Sequence, residues 1–127
     1  MSRALRSGAP RLLGFHGGTR GRWYAGHFQA LSHRLGPFKE SAVREYAGAV
    51  AVAWVGWREA TEALTEAQRL RRDGKGRRPS TAQLARLQRR QGLQWQTYDQ
   101  ALRRLEELAR GNGHPRDPVE EILGGGR

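Results

Sequence analysis

The chain has 127 residues, no cysteine, 23 lysines and arginines against 12 carboxylates, and a net charge of +11. That length supports one domain with a modest core. The lack of cysteine excludes disulfides, thiolate nucleophiles and Cys-based zinc or iron–sulfur centres, no apolar run approaches the roughly 20 residues of a membrane span, and the charge makes nucleic acid or another polyanion the natural partner class.

Only Lys39 and Lys75 among the basic residues are lysine, and the arginines suit bidentate phosphate contacts. The charge is also uneven: residues 1–36 carry +6, residues 37–72 carry +1, residues 73–90 carry +5 and residues 91–127 carry −1. The basic character therefore sits in the N-terminal stretch and around the middle of the chain.

Residues 1–22, MSRALRSGAPRLLGFHGGTRGR, are rich in glycine and arginine and are expected to form a flexible basic arm. No apolar h-region follows the first basic residues, so no signal peptide is expected and a reducing cytoplasm (a host cytoplasm, if the chain is viral) is the expected compartment. Arg11, Arg20 and Arg22 are the arm's candidate phosphate contacts. From Trp23 to Leu35, Tyr24, Phe28, Leu31 and Leu35 share a helical face, and Gly36-Pro37 is a stop signal. His27 and His33 are six apart, off a common face, and are expected to be polar or packing residues; no metal site is expected.

The next stretch reads as a long helix from Pro37 or Lys39 to about Arg72. Val43, Val50, Trp57 and Leu64 recur seven apart, and Tyr46/Ala47, Ala53/Trp54, Ala60 and Ala67 form a companion row. A helix of that length must lay its stripe on a partner. Gly48 and Gly56, with neighbouring alanines, offer a small-residue surface for close approach by another helix, in an adjoining subunit by expectation. The turn DGKGRRP, residues 73–79, ends the helix, and Ser80 with Gln83 forms a capping-box pattern.

A second long helix is expected from Thr81 to about Arg110. Leu84, Gln91, Tyr98 and Leu105 form one row, and Leu87, Trp95, Leu102 and Ala109 are read as its companion. The two stripes predict an antiparallel hairpin with Tyr46, Val50, Trp54, Trp57, Leu64, Trp95 and Tyr98 in its core or oligomer contacts. Its tip gathers Arg71, Arg72, Lys75, Arg77, Arg78, Arg86, Arg89 and Arg90, candidates for sequence-tolerant phosphate binding. The tail, residues 114–127, contains a helix start at Asp117-Pro118 and an apolar patch of Val119, Ile122 and Leu123, read as a short helical turn that docks back or engages a partner protein.

The expected fold is thus all-α: a long antiparallel helical hairpin preceded by a short helix, with a flexible basic arm (1–22), a helical domain (23–113) and a tail (114–127). No paired carboxylates in a cleft-forming context, GxSxG sequence or Walker pattern is present, so neither catalysis nor a cofactor is expected.

Residues 23–113 resemble the small subunit of phage terminases. Trp23 in the first helix, Tyr46, Trp57, Ala60 and Leu64 along the long helix, and Leu102, Leu105 and Leu108 leading to Gly111 carry the likeness. No helix-turn-helix precedes the hairpin, and the glycine-rich start differs from the proline-rich leader of such proteins. The resemblance implies a non-enzymatic, homo-oligomeric subunit that binds viral DNA and presents it to the large ATPase–nuclease terminase subunit, with Val119, Ile122 and Leu123 as the contact to that partner. The alternative is a small helical structural subunit of a ribonucleoprotein or other nucleic-acid complex, since RNA fits the same charge.

Overall fold

In the computed structural model the described residues are 8–12, 14–15, 17–74, 76 and 78–111. They form three helices: α1 (Gly18–Leu35), α2 (Ser41–Asp73) and α3 (Thr81–Ala109). The fold is all-helical, as the periodicities predict. No helix among the described residues is long and apolar enough to cross a membrane.

Helix α2 is the spine. At about 1.5 Å per residue it runs for about 50 Å, longer than any single partner in the chain covers. It ends where the chain reaches Gly74, which takes the left-handed conformation (φ 68°) and donates its N–H to the carbonyl of Leu70 at 3.2 Å. Helix α3 begins at the predicted capping box: the Ser80 hydroxyl accepts from the Gln83 N–H, and the Gln83 side chain accepts from the Ser80 N–H at 2.7 Å. These two signals place the turn and return α3 antiparallel along α2.

Helix α1 covers only one half of the hairpin. Arg20 pairs with Glu59 of α2 at 3.2 Å, and Arg34 pairs with Glu106 of α3 at 3.6 Å. These contacts run α1 antiparallel to α2 and parallel to α3. Tyr24, Phe28 and Leu31 of α1 then meet Val43, Tyr46, Ala47, Val50 and Ala51 of α2 and Tyr98, Ala101, Leu105 and Leu108 of α3 in one buried cluster. Burying a residue such as Leu105, fully enclosed here, is worth about 1.5–3 kcal/mol. Ala60, Leu64 and Ala67 are buried outside that cluster. The result is a three-helix head and a two-helix arm, the latter built from the end of α2 and the start of α3, about 20 Å long.

Three sequence expectations are corrected. First, α1 starts at Gly18, not Trp23, and the segment before it packs on the head: Ala9 and Phe15 are buried, and Tyr24 donates its hydroxyl hydrogen to the Pro10 carbonyl at 2.6 Å. Glycines 17, 18 and 21 signal coil locally, but tertiary burial of Phe15, Gly21 and Tyr24 overrides that signal.

Second, the small-residue surface of α2 is used inside the chain. A Cβ at Gly48 would meet Pro10 Cγ and the Tyr24 hydroxyl at 3.0 Å each, and one at Gly56 would meet Gln94 Oε1 at 2.9 Å. The space expected for a neighbouring subunit is filled by the chain's own segment and by α3.

Third, the companion row of α3 is displaced by one residue. Ala101 and Leu108 are buried, whereas Trp95 is 45% exposed and Ala109 is exposed; of the expected row, Leu102 is half-buried against the core. The rows that face α2 are 84/91/98/105 and 87/94/101/108, half-buried at 84, 87, 91 and 94 and buried from 98 on, the pair at i and i+3 that keeps one side of α3 on its partner. Trp95 falls on the flank of that face. Tyr46, Val50, Leu64 and Tyr98 are buried as expected, while Trp54 and Trp57 are half-buried on the border of the hairpin.

Candidate nucleic-acid interface

The arm concentrates cationic charge because its sequence lacks acids. No aspartate or glutamate occurs between Asp73 and Asp99, while Lys75, Arg77, Arg78, Arg86, Arg89 and Arg90 do. Local helix geometry then spreads Arg86, Arg89 and Arg90 over the solvent side of α3. All three are exposed, and none has a carboxylate within 4.0 Å among the described residues. Their charge is left for a partner in solution.

The opposing strip of α2 is electrically quieter. Arg69 holds Glu66 at 2.6 Å and Asp73 at 3.3 Å, and its guanidinium keeps the Glu66 carboxyl below the usual carboxylate range. Arg58 pairs with Glu62 at 3.5 Å. Such exposed pairs add little stability, about 0–1 kcal/mol each, but they neutralise the α2 side and leave the α3 side basic.

The other predicted contacts divide into three groups. Arg71 donates to the Thr81 hydroxyl at 3.1 Å, tying the two helix ends across the turn, and Arg72 lies 3.6 Å from Asp73 with most of its side chain exposed. Arg20 is held by Glu59 and stacks 4.5 Å over the Phe15 ring; Arg22 reaches the Thr19 hydroxyl at 3.3 Å; Arg11 is exposed. Arg11 and Arg22 therefore belong to the head, and Arg20 stands at Glu59, where the head meets the arm. Lys75, Arg77, Val119, Ile122 and Leu123 lie outside the described residues.

Beside the turn, a groove of about 540 Å³ opens between α2 and α3. Ala67, Leu70 and Leu87 line it with apolar surface, and the exposed Arg78 and Arg86 stand at its edge. Arg78 also lies over Gly74, where any side chain would collide with its guanidinium.

At the border between head and arm lies an aromatic group that sequence periodicity had assigned to the core. Trp57 and Trp95 pack at 5.3 Å between ring centroids, and Trp95 and Tyr98 at 5.6 Å. His27 stacks on Trp54 and shares a 2.9 Å hydrogen bond with the Tyr98 hydroxyl. Burial, assisted by repulsion from Arg34, lowers its pKa from 6.5 to about 4, so the ring is neutral at physiological pH. Desolvation likewise raises the Tyr98 phenol. Leu93 (58%) and Trp95 (45%) are the exposed large apolar side chains among the described residues; standing two apart, they cannot both face α2, but that spacing does not say that both turn away from it.

The described residues contain no group of histidines and carboxylates arranged to hold a metal ion. The free arginines, the open groove and the exposed ring of Trp95 can bind phosphates, apolar groups and aromatic bases. Comparisons with protein families, curated proteins and solved structures gave no match.

Proposed function

We propose that this chain is a non-enzymatic nucleic-acid-binding subunit whose hairpin arm grips the phosphate backbone, and that it serves as the small subunit of a viral DNA-packaging terminase. The observation that carries the binding reading is the acid-free stretch 74–98, with Arg86, Arg89 and Arg90 exposed and free of carboxylate partners among the described residues. Phosphate contacts of this kind position a duplex without reading its sequence. The packaging role rests on the resemblance over residues 23–113. In that role the chain assembles into a homo-oligomer, engages the large ATPase–nuclease subunit and presents DNA to it. The half-buried Leu70, Leu84 and Leu87 of the arm support assembly, because two helices alone leave part of their stripe wet.

Solution mass with and without duplex DNA tests the packaging part. A closed oligomer, alone or on DNA, agrees with it. A monomer at micromolar concentration that binds DNA without assembling removes the terminase reading and leaves a backbone-binding structural subunit.

A further inference from the structure

All four tryptophans of the chain avoid full burial: Trp23, Trp54 and Trp57 are half-buried and Trp95 is exposed. Two, Trp23 and Trp54, have a face engaged. Arg58 places its guanidinium 4.5 Å from the Trp23 ring and 5.5 Å from the Trp54 ring, His27 covers Trp54, and Trp57 packs against Trp95. Trp95 makes tilted ring contacts with Trp57 and Tyr98, and 45% of the residue stays in solvent. A supported and exposed indole is what a stacking platform requires.

Its surroundings on α3 point to the ligand. Gly92 and Arg89 precede Trp95 by three and six residues, so Arg89 stands roughly 9 Å along the axis from Trp95 and about a third of a turn around it, on the neighbouring side of α3. No side chain other than those of its chain neighbours comes within 4 Å of where a Cβ at Gly92 would stand. Arg89 has no carboxylate partner among the described residues, and Asp99, the nearest acid along α3, is neutralised by Arg103 at 3.2 Å. The exposed guanidiniums of Arg86, Arg89 and Arg90 on α3 call for an anionic occupant, and a polyanion bearing aromatic bases complements both the cations and the indole.

We infer that Trp95 is a stacking platform for an unpaired base of single-stranded nucleic acid, with Arg89 contacting a phosphate of the same strand. This rests on the nucleic-acid reading of the arm and adds to it a preference. Bases inside a duplex are already stacked and cannot meet the indole face without being opened, whereas unpaired bases meet it freely. The protein then distinguishes strand ends and openings from continuous duplex.

The test is titration of the full chain with a fluorescently labelled oligothymidylate and with a duplex of equal length, for the wild type, Trp95→Ala, Trp95→Phe and Leu93→Ala. Trp95→Ala is expected to weaken the oligothymidylate about 5- to 100-fold and the duplex less than about twofold. Trp95→Phe, which keeps a ring, restores most of the single-strand affinity. Leu93→Ala, at a more exposed position two residues away and so on another side of α3, changes neither. Matching circular dichroism and melting curves exclude a folding defect. The inference is overturned if Trp95→Ala leaves oligothymidylate binding within twofold of wild type, if it weakens both ligands alike, or if the wild type binds duplex alone. Binding to neither ligand overturns the nucleic-acid reading as well.

Discussion

His27 lies flat on Trp54, with ring centroids 4.4 Å apart and planes within 2° of parallel. The same imidazole meets the Tyr98 hydroxyl at 2.9 Å, so one side chain joins all three helices. Around it stand Arg34 from α1, which repels a proton and is itself paired with Glu106 of α3, and the neutral Tyr98. The folded-state pKa of about 4 lies below the free value of 6.5, so the folded state binds fewer protons than the unfolded one. Stability is therefore complete above pH 6.5 and is lost as pH falls from 6.5 toward 4. Thermal melts followed by circular dichroism should show Tm dropping between pH 6.5 and pH 5, before most carboxylates titrate. His27→Gln should flatten that part of the curve; an equal slope in wild type and variant would remove His27 as its source.

Two glycines in long helices should respond to alanine with opposite signs. Gly92 is exposed with nothing near its missing Cβ, so Gly92→Ala should gain about 0.5–1 kcal/mol from helix propensity. Gly48 is buried with Pro10 and Tyr24 at 3.0 Å from that position. Gly48→Ala should cost about 1–3 kcal/mol through overpacking, despite the same propensity gain. Urea midpoints check both, and stabilisation by Gly48→Ala would mean that the segment around Pro10 does not dock there in solution.

The phase of α3 is testable by truncation. Leu105 is fully enclosed by α1 and α2, so Leu105→Ala should cost about 2–5 kcal/mol. Leu93→Ala, at an exposed position, should stay within about 0.5 kcal/mol of wild type. Comparable losses at both sites would contradict the observed face.

Much of the fold was legible because its signals are local. Ser80 and Gln83 announce the start of α3, Gly74 ends α2, and the Val43–Val50 and Tyr98–Leu105 spacings set the seam. The start of α1 was not legible, because Gly17, Gly18 and Gly21 read as coil until Phe15 and Tyr24 are seen packed 5.5 Å apart. The side of Trp95 was not legible either: four-residue spacing from Gln91 fits the stripe as well as the three-residue spacing from Gln91 to Gln94, and only contact with α2 selects the latter. The small surface at Gly48 was visible, but its occupant, Pro10, comes from a stretch without periodicity. The arm's charge was legible in outline, whereas which arginines keep their charge free depended on the pairing of Glu66, Asp73 and Glu59.

The most direct test of the central claim is the salt dependence of duplex DNA binding by wild type and by the triple variant Arg86→Ala, Arg89→Ala, Arg90→Ala. Each phosphate contact contributes about 0.9 to the slope of log K against log salt concentration. If these arginines form the interface, the variant binds more weakly at low salt and its slope falls by about 2–3. An unchanged affinity and slope would contradict the assignment of the arm as the nucleic-acid site.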